Sequence, residues 1–340
     1  MAKLSFVIPA YNEENHIQKC LDSVCAQAKD YGDRVEIIVV NNASTDQTAE
    51  IARAYPNVKV VDEPHKGLVW ARRAGYLASS GDLIANVDSD TILTPHWLET
   101  VFAEFAKNPK LVGLSGPFKY YDLPKQTLKL VNLFYRAGYV VYLFNRFVLR
   151  NGSMLQGGNF IITRTGLEKI GGYDTSIEFW GEDSDIARRL HAVGDVKFTP
   201  KLPMLTSGRR LATEGAFTMG FKYARNYFWM IFFKKPKDRA YVDHRPTDAS
   251  KPTFQAGRTK REIIIGTSAI FATLVILSGA GFLAYLAGEH VIASDFSVSQ
   301  ATAATIKWRQ HMRTNISNLS QKAKAEFQAT LKELKEKRED

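Results

Sequence analysis

From Ile263 to Gly288 the chain carries no charged residue. The 25 residues of its core, 263–287, read IIIGTSAIFATLVILSGAGFLAYLA. As a helix such a run extends roughly 38 Å, against a hydrocarbon core of about 30 Å. Helices this long and apolar on every side are uncommon in water-soluble domains. The run is therefore expected to cross a membrane once, with some tilt. Lys251, Arg258, Lys260 and Arg261 precede it, Glu289, His290 and Asp295 follow it, and no further Lys or Arg occurs before Lys307. The positive-inside rule then puts residues 1–262 in the cytoplasm and the tail outside an inner or plasma membrane. No signal peptide is expected, because the apolar run 4–10 is short and leads directly into Asn12, Glu13 and Glu14.

Charge patterning agrees with a membrane partner. The net charge is +10, and residues 222–262 hold eleven Lys or Arg against four Asp or Glu. Positive charge packed just before an apolar span suits an anionic lipid surface. A nucleic-acid binder spreads its basic residues over the folded domain, so no nucleic acid is expected as a partner. The stretch 216–233, AFTMGFKYARNYFWMIFF, interleaves Lys222 and Arg225 with aromatics. Spanning is not expected there. It reads as a helix lying in the interface plane or as an aromatic core helix.

The first 200 residues alternate strand-like and helix-like runs. Strands are expected at 4–9, 35–41, 58–62, 83–87, 112–118, 159–163 and 196–199. Helices are expected at 14–28, 46–54, 67–79, 95–106, 165–170 and 183–193, with a further helical stretch over 125–150. This alternation predicts an α/β fold whose mostly parallel sheet is covered on both faces. Four regions result: an α/β domain over 1–212, a basic membrane-proximal segment over 213–262, the span over 263–287 and a helical tail over 288–340. Cys20 and Cys25 share one predicted helix and read as reduced packing residues.

Val87-Asp88-Ser89-Asp90 ends a predicted strand. Two carboxylates one residue apart, at the carboxyl end of a strand, point into the crevice where α/β proteins bind ligands. They suit a hard divalent cation that keeps its waters and bridges to phosphates. Glu182-Asp183-Ser184-Asp185 opens a helix, where carboxylates also serve the dipole. Asp183 is the better candidate for a base, and Phe179-Trp180 before it offers an apolar platform for a sugar ring. Three more loops follow strand ends: Pro9-Ala10-Tyr11-Asn12-Glu13, Asn41-Asn42-Ala43-Ser44-Thr45-Asp46, and Lys66-Gly67 with Arg72 and Arg73 beyond. No GxGxxG, GxxxxGK[ST], GxSxG or zinc spacing occurs.

Taken in order, VIPAYNEE, VVNNASTDQT, KGLVWARRAG, GDLIANVDSD, LQGGNFIITR, IGGYD and WGEDSDIARRL resemble the inverting family 2 glycosyltransferases of the GT-A fold, over residues 3–210. The resemblance implies a cytosolic domain that takes a nucleotide-diphospho-sugar donor and uses Mg²⁺ or Mn²⁺. By position, Pro9, Ala10, Tyr11 and Glu13 would line the nucleobase pocket. Asn42 would stand where the family usually has an Asp that touches the base or ribose. Gly67 and Arg72 would lie along the nucleotide, Asp88 on the nucleoside side, and Asp90 at the diphosphate-bound metal. Gly157, Gly158 and Asn159 would be near the sugar and acceptor, with Trp180 and Glu182 beside Asp183 as the base. The family's QxxRW motif is absent. Arg209 or Arg210 would clamp the diphosphate bidentately, or else form a basic surface turn.

The expected reaction is a single displacement with inversion at the anomeric carbon. Its expected acceptor is a hydroxyl of a membrane glycolipid or lipid-linked saccharide, because such a hydroxyl needs a base like Asp183. A polyprenyl phosphate, already ionised, is the second acceptor class. A non-catalytic nucleotide-sugar-binding scaffold and a nucleotidyltransferase are the alternatives of other kinds. The first leaves Asp88, Asp90 and Asp183 unexplained, and the second needs basic residues where YNEEN is acidic.

Overall fold

The computed structural model describes residues 2–144, 154–177 and 179–233. The predicted span at 263–287, the tail, and residues 234–262 of the basic segment lie outside them. Among the described residues no helix is long and apolar enough to cross a membrane.

Seven strands build the main sheet: β1 (Leu4–Ala10), β2 (Val35–Asn41), β3 (Val58–Asp62), β4 (Leu83–Val87), β6 (Leu111–Ser115), β8 (Asn159–Thr163) and β9 (Asp195–Phe198). Their order is β3-β2-β1-β4-β8-β6-β9. All neighbours run parallel except β8, which is antiparallel to both β4 and β6. This is an α/β GT-A-like fold with a mostly parallel central sheet. Three short strands, β5 (Thr91–Leu93), β7 (Phe118–Tyr120) and β10 (Met204–Thr206), form a second sheet in the order β5-β10-β7. The expected strand over 112–118 is thus two strands. The chain leaves β6 at Gly116-Pro117, where a Cβ on Gly116 would lie 1.9 Å from the Leu202 carbonyl oxygen, and Pro117 has no N–H to donate to a ladder.

The helices are α1 (Ile17–Ala28), α2 (Thr48–Arg53), α3 (Leu68–Ala78), α4 (Trp97–Lys107), α5 (Lys125–Phe144), α6 (Arg164–Lys169), α7 (Glu182–His191), α8 (Arg209–Glu214) and α9 (Ala216–Phe233). Residues of α5 from Tyr139 on belong to a second compact unit, in which the Tyr139 and Tyr142 rings stack at 5.8 Å.

Alternation along the strands divides the core. Leu4, Phe6 and Ile8 of β1 face α1 and α4, burying Ile17, Leu21, Trp97 and Val101. Val7, Ile38 and Val40 face the other way, with Val69 of α3 and Ile186 and Leu190 of α7. Both sheet faces are therefore covered, and a strand of such a sheet reads as a continuous apolar run. A third cluster joins Leu123, Val131 of α5, Trp180, Leu211 of α8 and Met219 of α9. One face of α9 is thus packed, while Phe221 and Tyr223 stand exposed.

Candidate active site

Two loops at the carboxyl ends of β1 and β2 are tied together first. The Asn12 side chain accepts a hydrogen bond from the Thr45 N–H at 2.8 Å. The Glu13 N–H donates to Thr48 Oγ1 at 2.8 Å, and the Glu14 N–H donates to Asp46 at 3.1 Å. Asn12 and Ala43 hold positive φ, 50° and 59°, a strain that clusters at ligand sites.

Asn42 ties in the loop after β3. Its amide donates to the Glu63 and His65 carbonyls, at 3.1 and 2.7 Å, and accepts from the Gly67 N–H at 2.8 Å. It is buried, and all these bonds hold the loop. That loop brings Lys66 Nζ to 3.9 Å from the centre of the Tyr11 ring. Pro9 and Ala10 are buried within β1.

The carboxylates gather where β4 meets β8. Val87 pairs with Asn159, so Asp88 lies directly against Gly158: a Cβ there would come within 2.1 Å of the Asp88 carboxyl carbon. Gly158 also has φ +78°, so only glycine fits both its conformation and its space. One residue earlier, the Gly157 N–H donates to Asp183 Oδ2 at 3.0 Å. Asp183 also accepts from the Ser184 N–H at 2.7 Å. Between these carboxylates stands Arg72, buried against the Phe160 ring, reaching Asp88 at 3.3 Å and hydrogen-bonded to Glu182. Arg72 therefore binds the two acidic motifs to each other.

The small sheet assembles the other edge. Asp90 directly precedes β5, Arg209 is the third residue after β10, and β5 and β10 pair through Thr91 and Thr206. Arg209 consequently reaches Asp90 Oδ2 at 3.1 Å and grips Glu13, with one bond of 2.9 Å. Asp122, after β7, accepts from the Ser207 hydroxyl and the Gly208 N–H, both at 2.6 Å, and so fixes the turn that carries Arg209. Asp122 was not a candidate from sequence, because three-residue strands leave too short a pattern to read.

The structure thus brings together Glu13, Arg72, Asp88, Asp90, Gly157, Gly158, Glu182, Asp183 and Arg209. It turns others inward. Asn159 is fully buried, accepts from the Trp97 indole and donates to the Gly116 and Leu202 carbonyls. Trp180 is buried in the third cluster. Arg210 lies 4.8 Å from the centre of the Phe179 ring, away from the Asp90 partner that Arg209 takes.

Charge is unevenly balanced here. Burial, reinforced by Glu13 and Asp88, pushes the Asp90 carboxyl up to about 6 although Arg209 draws it down. Burial likewise pushes Glu182 up to about 7, against the pull of Arg72. Asp183 is raised by its removal from water, and the N–H groups of Ser184 and Gly157 oppose that rise. Burial, more than any lack of arginine, is what raises these carboxyls. Among the described residues no three His, Cys, Asp or Glu side chains group as a cage for an ion. Asp88 and Asp90, on either side of Ser89 between β4 and β5, are a donor set that suits Mg²⁺ or Mn²⁺, which accept one or two carboxylates and complete their shell with phosphate and water.

An α/β sheet with an acidic crevice at its strand ends marks a place where ligands bind and does not by itself specify a reaction. Comparison with known proteins narrows it. Residues 5–171 match the model of Glycosyl transferase family 2, and residues 146–206 match the N-terminal domain of galactosyltransferase. Just under half of the chain is thus similar to family 2 glycosyltransferases. It is similar to glycosyltransferase AglE of Haloferax volcanii, 40% identical over 34% of this chain and 40% of that one. It also resembles the probable glycosyltransferase YdaM of Bacillus subtilis, 29% identical over 59% of this chain and 49% of that one. The chain spans less than half the length of these two relatives. In fold it is similar to a mannosyltransferase of Pyrobaculum calidifontis, with a TM-score of 0.53, 17% identity, and coverage of 93% of this chain and 84% of that one.

Proposed function

We propose that this chain transfers a sugar from a nucleotide-diphospho-sugar to a hydroxyl of a membrane glycolipid or lipid-linked saccharide, inverting the anomeric centre. One juxtaposition carries the reading. The neighbouring glycines 157 and 158 have Asp183 and Asp88 as their respective side-chain neighbours. A candidate base and a candidate nucleotide-side carboxylate therefore stand within a dipeptide of each other. In the proposed step the acceptor oxygen bonds to the anomeric carbon as the bond to the diphosphate breaks. Asp183 takes the hydroxyl proton, and its raised affinity for protons suits that role. The diphosphate leaves with the electron pair, and Arg209 would turn from Asp90 towards it. Asp88 and Asp90 would hold a divalent ion, which when bound neutralises charge on the leaving group. The similar mannosyltransferase is described in complex with GDP-Man and Mn²⁺, and the predicted span at 263–287 would keep the domain at the membrane where such acceptors lie.

Donor binding and turnover with UDP-, GDP- and dTDP-sugars test this. Asp183→Asn should keep donor binding and lower turnover by about 10²–10⁴. Asp90→Ala should lose metal-dependent donor binding. Undiminished transfer in Asp183→Asn would point instead to an acceptor already ionised, such as a polyprenyl phosphate. No donor binding by the wild-type chain would refute the transferase reading itself.

A further inference from the structure

We propose that the exposed faces of α5 and α9 form one surface that lies on an anionic bilayer. Five large apolar side chains stand well out into solvent among the described residues, and three of them, Leu133, Phe221 and Tyr223, belong to these two helices. Leu133 is 51% exposed and Phe221 43%. The helices touch: a Cβ on Gly220 would lie 3.3 Å from the Phe134 ring. Leu133 and Phe221 each flank that contact.

Cations surround the apolar residues. Lys125, Lys129, Leu133 and Arg136 follow one another along α5 at spacings of four, four and three, and all four are exposed. On α9, Arg225 stands one turn from Phe221 with its guanidinium 5.8 Å from the centre of that ring, whereas Lys222 is ion-paired with Glu214 of α8, so the free cations of the surface are mainly those of α5. Neither helix contains an Asp or Glu. A surface that offers cations to phosphate and side chains to hydrocarbon at one level matches a lipid headgroup layer. A nucleic acid or an acidic protein would use the cations and leave Leu133 and Phe221 without a purpose.

The sequence beyond α9 points to the same occupant. Residues 234–262 add nine Lys or Arg against four acids, and the uncharged run starts at Ile263, thirty residues after Phe233. Fully extended, such a connection reaches about 100 Å, so it tethers the domain to that surface and leaves the choice of face to the side chains the domain presents. The proposal rests on that membrane reading and not on glycosyl transfer.

The test uses the full chain in vesicles of phosphatidylcholine, with or without phosphatidylglycerol. Single cysteines for an environment-sensitive fluorophore replace Leu133, Phe221 or Leu77, in a chain whose half-buried Cys25 is serine. Leu77 is the comparison site, 63% exposed near the end of α3 that leads into the amino-terminal edge of β4. The expected result is a blue shift at 133 and 221, with strong quenching by spin-labelled lipid. Both should weaken in neutral vesicles and be absent at 77. Equal signals at all three sites would overturn the proposal, as would a chain that fails to float with vesicles. Protection from aqueous iodide at 133 and 221 without lipid quenching would also overturn it, because a second copy or another protein would then cover the face.

Discussion

Two arginines hold the acidic crevice, one on its inner edge and one on its outer edge, and they differ in how completely they are enclosed. Arg72 is 1% exposed, lies against Phe160 and joins Glu182 of α7 to Asp88 at the end of β4. Arg209 is 18% exposed and joins Glu13 after β1 to Asp90 before β5. The chemistry is the same, yet enclosure decides the role. A guanidinium with no route to water cannot exchange its carboxylates for a ligand, so Arg72 fixes the relative positions of Asp88 and the Glu182-Asp183 pair. Arg209 keeps contact with solvent and can exchange Asp90 for an arriving anion. Glu13, buried and also 3.3 Å from His16 Nδ1, holds Arg209 in place for that exchange.

Removing each arginine breaks or sharpens this contrast. At pH 8, Arg72→Met leaves Glu182 buried without its counter-charge and should cost about 3–5 kcal/mol in urea unfolding. Arg209→Met takes a counter-charge from the buried Glu13 as well, but at a site that keeps contact with solvent, and should cost less, about 1–3 kcal/mol, while donor KM rises. Equal stability losses for the two would abolish the distinction between a fixed link and an exchangeable one.

The inner edge also carries a pH signature. Glu182 holds its proton up to about 7 in the fold, against about 4.3 for an unperturbed glutamate. A raised carboxyl favours the fold when protonated. Its contribution is complete below the unfolded value and is lost as pH rises through about 7. Metal-free protein should therefore gain stability as pH falls from 8 to 6, by up to about 1.4 kcal/mol per unit from this group. Glu182→Gln should flatten that slope, and an unchanged slope in the glutamine variant would show that the raised affinity resides elsewhere.

The strands of the main sheet were legible because each is an apolar, β-branched run ended by polar loop residues, as in Val35–Asn41 and Leu83–Val87. The pairing of Asp88 with Asp90 could be read for the same reason, since it directly follows such a run. What escaped lies where spacing carries no periodic signal. Strands of three residues determine that Asp90 meets Arg209 rather than Arg210, and that Asp122 braces the turn between them. The reversed direction of β8 was equally invisible, although it delivers Gly158 to Asp88. Asn159 shows another limit. A polar residue beside two glycines reads as a ligand contact, yet Trp97 and two carbonyls from other segments engage its whole amide.

Asn42 extends the comparison to a link that involves no charge, and its expected effect is the smallest. The resemblance to family 2 enzymes places an aspartate at this position, so Asn42→Asp seems a conservative return. The hydrogen bonds argue otherwise. Two of the three are donated by the amide, to the carbonyls of Glu63 and His65, and a carboxylate can donate neither. Only the bond accepted from the Gly67 N–H would survive, strengthened by charge. The variant should lose about 1–2 kcal/mol. Backbone amides of 63–67 should exchange faster with solvent, because the carbonyls on either side of Pro64 lose their tether. Lys66 should then leave the Tyr11 ring, and donor KM should rise while kcat changes little. An aspartate variant with unaltered exchange at these amides would mean that the loop is held by its own turn and that Asn42 is free to read the nucleotide.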